Sequence, residues 1–275
     1  MAAVEVNISY QQSADPAKFG QYSLSLMDEV GQQQNVELKF NFGDLWRFAR
    51  DTSSVAFDLL VFAMSVYNAD RAVSRAKYSE EGWKRNIHLR VPVVNIAAME
   101  RGKDGFRSAV GFLTGDVWEF EFVQAVPYNY APPCLQFENL QDYGRVSLFS
   151  GGLDSLIGFI DGCTQLPAGK KVLLISHAEL GKEGKDQTRI LGKCVDNGLF
   201  DGQYDRAFLS AGLNLHRGNT IETEATFRAR SILFFAAGVY CASAISPNMP
   251  VTIPENGTIS LNIPSRLPHE YNIAK

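Results

Sequence analysis

The 275-residue chain has few cysteines, no long apolar run and no excess of basic residues. Its four cysteines are Cys134, Cys163, Cys194 and Cys241, and no two of them form a C-x-x-C pair. This spacing indicates reduced thiols and gives no support to a zinc site. No apolar stretch is long enough to span a bilayer, and Met1–Tyr10 lacks the basic-then-apolar layout of a signal peptide. The net charge of −4 gives no strong nucleic-acid signal. Together these absences predict a cytoplasmic protein without membrane contact.

The stretch Ser150–Ser155, with the sequence SGGLDS, lies where a predicted strand turns into a predicted helix. Arg145–Phe149 before it is β-prone, and residues 156–160 after it give an apolar helical face. Two adjacent glycines at such a turn let successive backbone N–H groups point at one spot, in front of the positive end of the helix dipole. The stretch therefore predicts a phosphate site. A plain turn with an Asp-Ser cap is the alternative.

The loop is not of the Walker A type, because that pattern closes on a Lys-Ser/Thr pair. No lysine stands between Arg145 and Lys170.

Residues 1–135 predict a smaller α+β domain. Val4–Tyr10 and Val36–Phe42 alternate as half-buried strands do, and the segment Gly31–Asn35 predicts a turn before the second of them. The residues from Leu45 to Ala76 repeat at helical spacing, which predicts one helix or two with a break near 51–54.

The segment Asp58–Arg71 has its polar residues at its two ends. It predicts either a buried helix with solvated ends or a helix that contacts a second domain. Trp83–Val93 and Val117–Val123 predict strands on either side of a helix at 101–113. Tyr128–Pro133 predicts a linker, so we expect a domain boundary near 130–144.

Strands and helices alternate from residue 146 onward, which predicts βαβ units with a parallel sheet. The predicted strands after the loop are Lys171–His177, Tyr204–Leu209 and Pro250–Pro254, and the predicted helices between them are Lys185–Asn197 and Thr223–Ile245. Ligands of such sheets bind beyond the carboxyl ends of the strands. The residues that follow each strand are therefore the candidates for a site.

Several candidate residues lie at these strand ends. For His177 we weigh two roles, a residue beside a bound nucleoside and a core histidine. Lys185 is either a phosphate ligand or a solvated surface lysine. Arg228 and Arg230 lie at the expected amino end of a helix, where a cation is unfavourable by about 0.5–1 kcal/mol unless an anion offsets it.

Another pair follows the last predicted strand. Glu255 and Asn256 stand where a substrate or Mg²⁺ would bind, and a plain Asn-Gly turn is the alternative.

The six residues Ser150–Ser155 match the SGGxDS pattern of the PP-loop ATP pyrophosphatases. Within that group the chain resembles the 7-cyano-7-deazaguanine synthase (QueC-like) family, and most closely its anti-phage defence members of the QatC type. The other matching stretches are Arg228–Arg230, Pro254–Gly257 and Val66–Arg71. The resemblance implies an α/β fold, in which a Rossmann-like, adenine nucleotide alpha hydrolase-like domain at 144–275 follows the smaller α+β domain.

The resemblance also implies a chemistry. ATP and Mg²⁺ would be the cofactors, and a deazapurine carboxylate would be adenylated with release of pyrophosphate, before amide, nitrile or protein conjugate formation displaces AMP. The implied nucleotide-binding residues are Ser150, Gly151, Gly152, Leu153, Asp154, Ser155, His177 and Lys185. The implied catalytic residues are Asp154, Ser155, Arg228 and Arg230, with Asp154 also on the metal and Glu255 and Asn256 on the substrate.

The biosynthetic synthases bind zinc through clustered cysteines near the carboxyl end, and this chain has no such cluster. It also ends at Lys275, where the resemblance implies a further region, so we expect a truncated domain. Further implied partners are a protein substrate and other subunits of a defence system. Two alternatives remain at this point: another PP-loop enzyme that modifies a tRNA base, or a catalytically inactive nucleotide-binding scaffold.

Overall fold

A computed structural model describes residues 3–11, 21–27, 31, 33–41, 44–80, 82–127, 137–178, 181–215 and 221–255. The strands in these ranges are β1 (Val4–Gln11), β2 (Gln21–Met27), β3 (Gln33–Asn41), β4 (Ser79–Glu80), β5 (Lys84–Val93), β6 (Val117–Gln124), β7 (Tyr143–Leu148), β8 (Lys171–His177), β9 (Tyr204–Asn214) and β10 (Val251–Thr252). The helices are α1 (Val55–Ala72), α2 (Arg75–Tyr78), α3 (Ile96–Thr114), α4 (Leu153–Gln165), α5 (Gly181–Asp196) and α6 (Arg230–Ile245), and Leu45–Arg47 and Leu140–Asp142 form short 3₁₀ helices. The fold is α/β.

All ten of these strands belong to one mixed sheet. Strands β10, β7, β8 and β9 are neighbours in that order and run parallel. The sheet continues through β3, β2 and β1, which pair antiparallel, to β5, which pairs with β1 and β6 in parallel and with β4 antiparallel. The carboxyl ends of β10, β7 and β8 therefore share one edge, which is where a ligand of a parallel sheet binds.

Strand β9 joins the two halves of the sheet. Its first part, Tyr204–Leu209, pairs with β8, and its second part, Ser210–Asn214, pairs with β3. The sequence predicted only the first part, because Ser210–Asn214 is short and contains a glycine, which is depleted in strands. The sheet thus runs without a break across the expected boundary at 130–144.

Helix α1 is buried along almost its whole length. The prediction of solvated ends was wrong, because Asp58, Asn68 and Asp70 are all buried. The Asp58 carboxylate accepts hydrogen bonds from the backbone N–H groups of Val94 and Asn95, both at 2.8 Å, at the start of α3. Of the two alternatives for residues 45–76, the structure has the break near 51–54, since a short 3₁₀ helix at Leu45–Arg47 precedes α1, which begins at Val55.

The carboxyl end of α1 leads into a buried ion-pair network. Arg85 on β5 has no exposed surface and contacts the carboxylates of Asp70 and Asp116. Arg75 lies beside them and donates to Asp116 Oδ2 at 2.8 Å and to the Thr114 carbonyl at 3.1 Å. Two arginines and two carboxylates thus neutralise each other away from water, which is the arrangement that makes buried charge tolerable.

The predicted helix Thr223–Ile245 begins seven residues later, at Arg230. The preceding segment is held out of helical form by the network just described. The Glu224 N–H donates to the Arg71 carbonyl at 2.8 Å, and the Glu224 carboxylate accepts from the Arg75 N–H at 2.8 Å. One further expectation was wrong in part, because residues 33–35 lie in β3 rather than in a turn. The strand β2 had no counterpart among the predicted elements.

The predicted linker Tyr128–Pro133 and Cys134 lie outside the described residues. Among the described helices, none is both long and apolar enough to cross a membrane.

Candidate functional site

The loop after β7 is organised by the hydroxyl of Ser155, which is buried. Ser155 Oγ donates to the Gly152 carbonyl at 2.8 Å and accepts from the Gly151 N–H at 3.1 Å and from Ser150 Oγ at 3.3 Å. A second hydroxyl, Ser150 Oγ, accepts from the Gly152 N–H at 3.4 Å. The two serines therefore fix the loop from within, and Ser150 itself remains exposed.

Gly151 is needed at its position for two reasons. Its φ of +84° lies in the left-handed region that favours glycine, and a Cβ atom there would lie 2.8 Å from Gln187 Cγ. Gln187 is buried on α5, and its Nε2 donates to the carbonyls of Ser150 and His177, both at 3.1 Å. One amide thus holds the loop against the end of β8.

The amino end of α4 faces outward from this loop. The helix has no side-chain hydrogen bond at its N-cap, Gly152, and its first intrahelical bond runs from Leu156 N to the Gly152 carbonyl at 3.0 Å. The N–H groups of Leu153 and Asp154 consequently have no acceptor within the helix. With the helix dipole behind them, these groups make a favourable position for an anion.

Arg230 is the first residue of α6 and brings a positive charge to the same region. Its guanidinium donates to the His177 carbonyl at 3.2 Å and lies 3.3 Å from a carboxylate oxygen of Glu183. The ring centroids of Phe227 and Phe234 are 5.8 and 5.5 Å from its Cζ atom. Its Nη1 and Nη2 atoms pair with the two carboxylate oxygens of Glu183 at 3.4 and 3.3 Å, and its buried Nε has no partner among the described residues.

A cavity of about 220 Å³ lies between the loop and α6. Three parts of the chain line it: the loop with Leu148, Ser150 and Ser155, the start of α6 with Phe227, Arg230, Ser231, Phe234 and Phe235, and the segment after β10 with Ile253, Pro254 and Glu255. We call it the loop cavity. It combines hydroxyl groups, one arginine and aromatic side chains at the carboxyl edge of the parallel strands.

A second cavity, of about 430 Å³, runs along α4 and adjoins the first. It is lined by Asp154, Asp161 and Arg145 and shares Ile253, Pro254 and Glu255 with the loop cavity. Pro254 can approach α4 because residue 158 is a glycine, at which a Cβ atom would lie 2.5 Å from Pro254 Cγ. Asp154 and Glu255 therefore border the same space next to the loop.

The structure separates the two arginines that the sequence placed together. Arg228 does not belong to α6 and lines neither cavity described above. Its guanidinium donates to the Thr114 carbonyl at 2.9 Å, at the carboxyl end of α3, and lies 5.7 Å from the Trp83 ring centroid. The positive charge of Arg228 is therefore offset by the partial negative charge at the carboxyl end of α3.

The other predicted residues occupy different surroundings. Leu153 is 71% exposed and Lys185 is exposed on α5, and neither lines these two cavities. Asn256 lies outside the described residues. His177 is fully buried, with its ring edge-to-face against Tyr67 and Phe234. Its backbone carbonyl, rather than its imidazole, faces the groups of the site.

Burial of His177, together with the nearby charges of Arg230 and Arg71, lowers its pKa to about 4, an effect that the backbone of Ala211 partly opposes. The imidazole is therefore neutral in the folded protein at pH 6.5, while the unfolded chain begins to bind a proton there. We expect the free energy of unfolding to fall as the pH drops from about 6.5 to 4, by up to about 1.4 kcal/mol per pH unit from this residue.

Urea unfolding of the wild type and of His177→Phe across this pH range measures the effect. The variant should lose less stability on acidification than the wild type does. Equal pH dependence in the wild type and His177→Phe would contradict the burial of a neutral His177.

Three of the four cysteines lie in the described residues and are free thiols, Cys163, Cys194 and Cys241. No group of three or more His, Cys, Asp or Glu side chains within the described ranges is arranged to hold a metal ion. Asp154 and Glu255 contribute single carboxylates. These are enough for Mg²⁺ held mainly by phosphate oxygens and water, which is how that ion usually binds beside a nucleotide.

Several residues of the site carried no signal in the sequence. Gln187 and Glu183 are one helical turn apart on α5 and contact the loop and Arg230, but polar residues at that spacing occur on any solvated helix. Phe227 and Phe235 both fell in the predicted helix at 223–245; the structure has Phe227 before α6 and Phe235 on it, and both line the loop cavity.

Comparison with models of known protein families, with curated proteins and with solved structures gives no significant match to this chain.

Proposed function

We propose that this protein binds Mg-ATP at the loop Ser150–Ser155 and uses it to adenylate a carboxylate of the 7-deazaguanine type, with release of pyrophosphate. The observation that carries the proposal is the loop itself. It ends a parallel strand, presents the unpaired N–H groups of a helix start, and borders a cavity that also contains Arg230.

The roles follow from the surroundings of each residue. The N–H groups of Leu153 and Asp154 would bind phosphate oxygens, and the exposed hydroxyl of Ser150 would donate to them in place of its 3.3 Å hydrogen bond to Ser155 Oγ. Ser155 keeps the loop in shape through its three hydrogen bonds, so its role is positioning. Arg230 would stabilise the charge on the phosphates, because it lines the same cavity.

Mg²⁺, when bound, would neutralise phosphate charge, and Asp154, which lines the cavity along α4, would hold it. A carboxylate oxygen of the substrate attacks the α-phosphorus, and the bond from that phosphorus to the oxygen bridging to the β-phosphate breaks. An amine then attacks the acyl carbon, and AMP leaves with one oxygen of the original carboxylate.

The test is to incubate the protein with Mg-ATP, with and without 7-carboxy-7-deazaguanine, and to measure AMP and pyrophosphate. We expect AMP only when the carboxylate is present, and about 10- to 100-fold less of it with Asp154→Ala, a range typical for loss of a residue that positions a metal. Asp196→Ala, at the exposed end of α5, is the matched control and should retain wild-type rates.

Two results would contradict the proposal. Release of ADP and phosphate would indicate attack at a different phosphorus. Binding of Mg-ATP without any AMP, even with candidate amines added, would favour a nucleotide-binding scaffold.

A further inference from the structure

The loop cavity exposes large aromatic side chains beside a polar loop. Phe227 is 51% exposed and Phe235 is 38% exposed, and both line the cavity next to Ser150 and Arg230. Exposed phenylalanines that surround a cavity contribute little to stability where they stand, and such apolar surface commonly marks a ligand site. Their position beside the cavity fits a flat apolar ligand.

We infer that Phe227 and Phe235 form a stacking site for a fused heteroaromatic ring of the purine type. This inference deepens the proposed function and rests on it, since both substrates of that reaction carry such a ring. Stacking between a base and an aromatic side chain tolerates different bases, because every base has a π-face. The site therefore recognises ring shape.

The size of the loop cavity supports a single ring system. Its volume of about 220 Å³ is below the roughly 300–1,000 Å³ of pockets that enclose whole drug-sized ligands. A nucleotide would thus place one part here and its remaining parts along the loop or in the adjoining cavity. The loop provides polar groups that can bind phosphate, and Phe227 and Phe235 provide the apolar surface that contacts the ring.

The walls also supply polar groups at the edges of the ring. Arg230 lines the cavity together with the loop and Phe227, and its Cζ atom is 5.8 Å from the Phe227 ring centroid. Glu255 lines the cavity from the segment after β10, opposite the residues of α6. A ring with N–H donors on one edge would match the Glu255 carboxylate, while Arg230 meets the phosphates at the side of the loop.

The test compares three probes on the wild type and on the double variant Phe227→Leu/Phe235→Leu, by titration calorimetry. The probes are Mg-ATP, Mg-tripolyphosphate, which has no ring, and 7-carboxy-7-deazaguanine. Leucine keeps apolar bulk and removes the aromatic face. We expect the double variant to bind at least one ring-bearing probe about tenfold or more weakly and to bind tripolyphosphate within about twofold of the wild type.

The ring-bearing probe that loses affinity identifies which ring occupies the site: adenine if it is Mg-ATP, the acceptor base if it is the deazaguanine. Phe112→Leu provides the control, since Phe112 is an exposed phenylalanine on α3 that lines neither described cavity. It should leave the affinity for all three probes unchanged.

Three outcomes overturn the inference. The first is wild-type affinity of the double variant for both ring-bearing probes, and the second is failure of the wild type to bind either of them. The third is an equal loss for tripolyphosphate, because the phenylalanines would then only support the loop. Failure of the proposed function gives a different result, in which the wild type binds neither Mg-ATP nor tripolyphosphate. In that case an affinity for the deazaguanine that depends on the two phenylalanines would still support the stacking site.

Discussion

Replacement of Arg85 by methionine is expected to lower the free energy of unfolding by about 3–5 kcal/mol, because it leaves buried carboxylates without their main counter-charge. Arg85 has no exposed surface and contacts both Asp70 and Asp116. It also donates to the Asp70 carbonyl at 2.8 Å and to the Val73 carbonyl. One side chain therefore ties the end of α1 to β5 and to the turn before β6.

Urea unfolding followed by circular dichroism measures this loss as a shift of the transition midpoint. Arg90→Met is the matched control, since Arg90 is on the same strand but is 50% exposed and pairs with Glu121 at the surface. Its change should stay within about 0.5 kcal/mol. If the two variants lose similar stability, the buried network does not contribute as described.

Replacement of Arg230 by alanine is expected to weaken the binding of Mg-ATP by roughly 10- to 100-fold. This corresponds to about 1.5–3 kcal/mol for a lost hydrogen bond to a charged group. Arg228→Ala should change that affinity by less than about twofold, because its guanidinium is occupied at the Thr114 carbonyl. Both variants remove one arginine, and the two positions are only two residues apart in the sequence. A difference between their affinities for Mg-ATP therefore reports the different surroundings of the two side chains.

Titration calorimetry with Mg-ATP measures both affinities, and circular dichroism checks that each variant is folded. An equal loss of affinity in both variants would contradict the separation of Arg228 from the loop cavity. It would support instead the role that the resemblance implies for both residues.

Much of the fold followed from local patterns in the sequence. Lys171–His177 was predicted with the bounds that the structure has, because a continuous apolar strand between polar turns is a strong signal. The apolar alternation of Trp118, Phe120 and Phe122 likewise marked the buried face of β6. The position of the loop between β7 and α4 was predicted for the same reason.

The remaining features depend on contacts between distant segments. Arg228 was expected in a helix because residues 223–245 contain no proline and run into an apolar helical pattern, but Glu224 is bound to Arg71 and Arg75, about 150 residues earlier. The antiparallel pairing of β9 with β3 could not be predicted, since nothing in Ser210–Asn214 indicates its partner. Gln187 contacts the loop only because α5 packs beside it. Such contacts leave no local pattern.

The measurement that tests the central claim most directly is the fate of the carboxylate oxygen. The protein is incubated with Mg-ATP and 7-carboxy-7-deazaguanine labelled with ¹⁸O in its carboxylate, and the AMP formed is analysed by mass spectrometry. Adenylation at the loop predicts AMP that carries one labelled oxygen, and loss of this product with Asp154→Ala. AMP without label would show that water, and not the carboxylate, attacks the α-phosphorus, and would contradict the account.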